Sequence, residues 1–128
     1  MKHFLGIDYG SKRVGLAMAK TPIAEPYKIV PIDKAISLIS NICKEETITD
    51  IVVGISENKT KSLTLKFIAD LNKIIDLPIH MQDETLSSHQ LKEHFLSTGV
   101  KKSKLHGDID HFSAALILQD YIDENHAF

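Results

Sequence analysis

The stretch "DIVVGI", residues 50–55, does most to limit what this chain can become. Its β-branched residues stand side by side with no polar alternation. A run this short and this apolar suits a strand covered on both faces, and such strands belong to sheets with helices packed on either side. The flanking segments supply those helices. Before it, "DKAISLISNICKEE" carries Ala35, Ile36, Ile39, Ile42 and Cys43 at helical spacing, with Asp33 as the expected N-cap. After a polar loop, "LTLKFIADLNKIID" predicts an amphipathic helix with Leu65, Ile68, Ala69, Leu71 and Ile75 along one face.

The first third of the chain has strand character. "HFLGID" is apolar until Asp8, "YGS" breaks it, and "RVGLAMA" resumes it, which reads as two strands joined by a tight turn. "TPIAEPYKIVP" carries three prolines around "YKIV", so a short third strand belongs at a sheet edge. Further on, "LPIHMQDE" predicts a strand ending in two carboxylates. "TLSSHQLKEHFLSTG" predicts a helix closed by Gly99, and "DIDHFSAALILQDYIDEN" a final helix after a lysine loop. The expected architecture is α/β: a mixed sheet flanked by helices, in one domain over residues 1–128.

Composition narrows the function classes. A hydrophobic fraction of 43% and a charged fraction of 25% are those of an ordinary water-soluble domain. The single cysteine, Cys43, rules out an intramolecular disulfide and falls on an apolar helix face, so a core position in a reducing compartment is expected. No apolar run approaches the roughly 20 residues of a membrane helix, and the start lacks a signal-peptide layout. A cytoplasmic protein with no membrane partner is the expectation. A net charge of −2 argues against broad electrostatic capture of nucleic acid but leaves room for a local patch, such as Lys101, Lys102 and Lys104 in "GVKKSKLHGD".

Three acidic sites fall at element ends. Asp8 closes the first strand, Asp83 and Glu84 close the last, and Asp110 opens the final helix. Each has a plain structural account: an Asx-turn over Tyr9-Gly10, a strand terminus, and a helix N-cap. Together they suggest something else. Carboxylates that converge repel one another and need a cation, and hard oxygen ligands select Mg²⁺ or Mn²⁺. Two such ions suit phosphodiester cleavage. The seven histidines form no zinc-spaced cluster, and His111, beside Asp110, is the one positioned as a proton carrier. No G-x-G-x-x-G or P-loop lysine is present. Tyr9 and Tyr27 are candidate exposed aromatics but make no identifiable stacking platform.

At these residues the chain resembles the YqgF/RuvX family, Holliday-junction-resolvase-like proteins regarded as pre-16S rRNA nucleases. "GIDYGSKRVGLAMA" looks like the family's opening signature, and "IVVGI", "QDETLSS" and "IDHFSAALILQDYI" resemble its later blocks in order. The resemblance implies an RNase H-like fold with a mixed five-stranded sheet. It also implies a divalent-metal-dependent endonuclease of the two-metal-ion type, trimming the 5′ end of the 16S rRNA precursor. Carried over residue by residue, Asp8, Glu84 and Asp110 would be catalytic metal ligands, with Asp83 behind Glu84 or in its place. Lys12 and Arg13 would contact phosphate. Two departures stand out: Thr85 follows the acidic pair where the family usually has Arg, and "ISENKTKS" replaces a loop that usually carries Pro and Gly, with Lys59 and Lys61 as possible substitutes.

Structured RNA is therefore the expected partner, with branched DNA as the alternative, and the chain would act as a monomer or homodimer. A junction resolvase would require a dimer, because it cuts two strands symmetrically. A third reading is a nucleic-acid-binding or transcription-assisting factor whose acids are structural. A sugar-kinase-like ATPase would need two such domains, and the length excludes it.

Overall fold

The computed structural model describes residues 1–10, 12–56, 61–83 and 112–128, and the backbone alone of 102–111. Five strands form one sheet: β1 (Phe4–Tyr9), β2 (Arg13–Ala19), β3 (Glu25–Pro31), β4 (Asp50–Ile55) and β5 (Ile79–Asp83), in the order β3-β2-β1-β4-β5. β1 to β3 form an antiparallel meander, whereas β4 runs parallel to β1 and β5 parallel to β4. The helices are α1 (Ala35–Glu45), α2 (Lys61–Ile74) and α3 (Lys102–Asn125). This is the mixed five-stranded sheet expected from the sequence.

Strand alternation divides the core. Leu5 and Ile7 of β1, Val14 and Leu16 of β2, and Ile51 and Val53 of β4 pack under α1 and α2 with Ile39, Ile42, Phe67 and Leu71. Phe4, Ala17, Ala19 and Val52 face the other way, against Ala114, Ile117, Leu118 and Ile122 of α3. β4 is thus covered on both faces, as its composition requires. Cys43 is buried in the first cluster, and burial pushes its thiol up to about 11.

Several local expectations are corrected. Asp8 does not end β1 but lies inside it, paired with Gly15, and Tyr9 completes the strand. The third strand is longer than "YKIV": it runs from Glu25 to Pro31, takes the edge position, and a register shift lets its prolines join the ladder there. Asp33 is not an N-cap; it lies in a 3-10 turn (Ile32–Lys34), and Lys34 precedes α1 without a side-chain cap bond. In α2 the buried face is Thr64, Phe67 and Leu71, continued by Ile75, while Leu65 is exposed. Tyr9 is no free aromatic: its ring tilts onto Phe67 at 4.8 Å, on the α2 side of the sheet.

The last helix differs most. It begins at Lys102, so Lys102 and Lys104 belong to a helix rather than to a loop, and Asp110 sits inside it rather than at its cap. The helix expected over 85–99 lies outside the described residues.

Candidate active site

The C-terminal ends of the parallel strands β1, β4 and β5 meet at one edge of the sheet, together with the turn from β1 to β2. Asp8 stands near that edge. It shares strand parity with Phe4 and Gly6, which face α3, so its carboxylate lies on the α3 side, partly buried.

On the sheet itself, the strand neighbours of Asp8 are glycines. Its cross-strand partner on β2 is Gly15. Ile7 pairs with Val53, which brings Gly54 of β4 level with Asp8 on the other flank. Gly54 shares the parity of Val52 and so looks toward α3 as well. Glycines on both neighbouring strands mean that neither strand sets a side chain beside Asp8 on this face. Beyond Gly54 comes its partner Gln82 of β5, buried, whose Nε2 donates to Glu124 Oε2 of α3 at 2.9 Å.

Helix α3 passes close above this patch. A Cβ added to Gly6 would lie 2.8 Å from Leu118 Cβ and 3.1 Å from the Ala114 carbonyl oxygen. At the other end of β1, Phe4 meets Tyr121 edge-on at 5.9 Å, while on β5 His80 stacks on Tyr121 and Gln82 reaches Glu124, so α3 crosses the sheet obliquely. Asp110 lies in α3 one turn before Ala114, on the same helical stripe as Ala114 and Leu118.

Asp83 belongs to the opposite parity. Gln82 and His80 turn toward α3, His80 stacking on Tyr121 at 5.0 Å, whereas Ile79 packs into the α1–α2 cluster. Asp83 shares the parity of Ile79 and is exposed, so the fold does not bring it onto the face of Asp8. Glu84, Thr85, Lys59 and Lys101 lie outside the described residues, as do the side chains of Lys102, Lys104, Asp110 and His111. Among the described residues no three acidic, His or Cys side chains gather to hold a metal ion. Lys12 and Arg13 are exposed at the β1–β2 turn, on the same sheet edge as Asp8. That turn is tight: a Cβ on Gly10 would come within 2.5 Å of the Arg13 carbonyl oxygen.

Sequence reasoning missed Gly15, Gly54 and Gln82. The glycines were visible as interruptions of "RVGLA" and "IVVGI", and a glycine inside a strand signals a place that must stay open.

The chain matches the RuvX family model, described as Holliday junction resolvase, over residues 2–124. A "putative pre-16S rRNA nuclease" of Maridesulfovibrio salexigens is 33% identical, the alignment covering 92% of this chain and 96% of the relative. One of the same name from Chloroflexus aggregans is 31% identical, covering 93% and 92%. Among solved structures, Thermus thermophilus RuvC in complex with a Holliday junction substrate superposes with a TM-score of 0.63 at 14% identity, covering 98% of this chain and 97% of that one. The fowlpox virus resolvase bound to junction DNA gives 0.53 at 12%, covering 94% and 98%.

Proposed function

The chain belongs to the RuvX family, and on that premise we propose that it is a divalent-metal-dependent endonuclease that matures the 5′ end of the 16S rRNA precursor. The observation that carries the reading is Asp8: a partly buried carboxylate, on the face toward α3, between Gly15 and Gly54. A glycine in a strand interior marks a place where a ligand or another backbone comes close, and a strand acid flanked by two of them suits a ligand for a hard cation.

Asp8, Glu84 and Asp110 would hold Mg²⁺ or Mn²⁺. Asp83 belongs to the face away from Asp8, which counts against it as the ligand of the pair. When bound, two such ions supply an activated water and stabilise the leaving oxygen. The chain's own part is to hold the acids against mutual repulsion and to steady the substrate. Lys12 and Arg13 neutralise the phosphate backbone beside the cleaved bond, on a turn that Gly10 keeps tight. The names of the relatives in Maridesulfovibrio and Chloroflexus support RNA as the substrate.

A junction resolvase is the second reading, favoured by the family's description and by the junction-bound structural neighbours. One experiment separates the two. The protein and its Asp8→Asn variant are incubated with a precursor RNA spanning the 5′ maturation site and with a four-way DNA junction, in Mn²⁺ and in EDTA. Metal-dependent cutting of the RNA, lost in the variant, is expected. Symmetric cutting of the junction alone would make it a resolvase, and binding of both without cutting would make it a non-catalytic factor.

A further inference from the structure

The β3–α1 junction meets the β1–β2 turn at the sheet edge that carries Asp8. The backbone N–H of Ile32 donates to the carbonyl of Lys12 at 3.0 Å, and Pro31 pairs with Arg13. These contacts fix the short 3-10 turn, and Lys34 at its end, beside the Lys12–Arg13 step. Lys34 is exposed at the start of α1, and neither Lys34 nor Lys12 engages a carboxylate among the described residues. Its acidic neighbour Asp33 is turned elsewhere: it lines a groove with Ile36, Ser37 and Ile74, which Lys34 does not join.

We propose that Lys34 is a phosphate-binding residue that extends the Lys12–Arg13 step into a track for a nucleic-acid backbone leading away from Asp8 across β2 to β3. The inference rests on the nuclease reading for the identity of the polyanion. Strands lie about 4.8 Å apart, so β3 is about 10 Å from β1. That is more than one phosphate step along the strand, so a cation there meets a phosphate beyond the one at Lys12–Arg13. A cation there grips substrate beyond the reacting bond and belongs to binding rather than to chemistry.

Lys44, in the last turn of the same helix, provides the control. Binding of a fluorescent RNA hairpin is titrated over a range of salt concentrations in EDTA, so that no cleavage intervenes, for wild type, Lys34→Ala, Lys34→Arg and Lys44→Ala. Each phosphate contact contributes about 0.7 to 0.9 to the slope of log affinity against log salt. Lys34→Ala should lower the slope by about that much and weaken binding several-fold at low salt, whereas Lys34→Arg and Lys44→Ala should match wild type. A slope for Lys34→Ala equal to that of Lys44→Ala overturns the track while leaving the nuclease reading intact. No binding by wild type in EDTA and none by Asp8→Asn in Mn²⁺ would overturn both.

Discussion

Asp50, at the start of β4, is a buried carboxylate at the end of the sheet opposite Asp8. Burial alone would raise its pKa. Hydrogen bonds from His80 Nε2 at 2.9 Å, the Thr49 hydroxyl at 2.8 Å and Lys2 Nζ at 3.1 Å outweigh that and hold it below the ordinary carboxylate value. A carboxyl whose folded pKa is depressed stabilises the fold above its unfolded pKa, about 3.9, and loses that contribution as pH falls through the lower folded value. Melting temperature should therefore drop as pH is lowered below about 4. In Asp50→Asn the acid limb should flatten, and the fold should be weaker by about 1–3 kcal/mol at neutral pH, where one acceptor oxygen and the charge facing Lys2 are lost. A variant with an unchanged acid limb would take Asp50 out of this account. At this scale the sequence was informative about Asp8, because an acid inside an apolar strand is conspicuous. It was silent about Asp50, whose partners His80 and Lys2 are 30 and 48 residues away, and misleading about Asp33, where cap chemistry yields to a 3-10 turn fixed by the Ile32–Lys12 hydrogen bond.

At the scale of elements, the seat of α3 on β1 decides where Asp110 falls. Gly6 is the contact point, and only a residue without a side chain fits beneath Leu118 and the Ala114 carbonyl. Gly6→Ala must push the helix away, since one of the opposing atoms is backbone. Overpacking of this kind costs about 1–3 kcal/mol. The variant should melt several degrees lower and lose metal-dependent cleavage out of proportion to its stability, because the helix it displaces carries Asp110. Cleavage retained at the wild-type rate in a folded Gly6→Ala would show that the seat of α3 does not position the acid. The succession of strands and helices was legible wherever an element keeps one hydrophobic period or, as β4 does, an unbroken apolar run. The start of α3 was not: "KSKLHG" has no apolar period and ends in a glycine, yet the helix runs through it. The strand order β3-β2-β1-β4-β5 was also out of reach, since pairing is set by contacts far apart in the chain.

Over the whole molecule the two ends of the sheet are held differently. At one end Asp50 is satisfied by Lys2, Thr49 and His80, and His80 stacks on Tyr121 of α3. At the other, Asp8 lies between glycines on the face toward α3, and the acids proposed to join it repel one another in the absence of a cation. Folding then works against that repulsion at the site end, and a bound cation relieves it. Two consequences can be measured without any substrate. Added Mn²⁺ should raise the melting temperature of the wild type; at a hundred times Kd the linkage amounts to about 2.7 kcal/mol, or roughly 10 °C for a chain of this length. Asp8→Asn should melt at or above the wild-type temperature in EDTA, because it removes one of the repelling charges, and should respond little to Mn²⁺. The opposite pattern, a variant several degrees less stable in EDTA with its Mn²⁺ response intact, would make Asp8 a structural strand residue and move the metal site elsewhere. Because the readout is unfolding rather than cleavage, it tests the cation site even if the right nucleic acid has not been found.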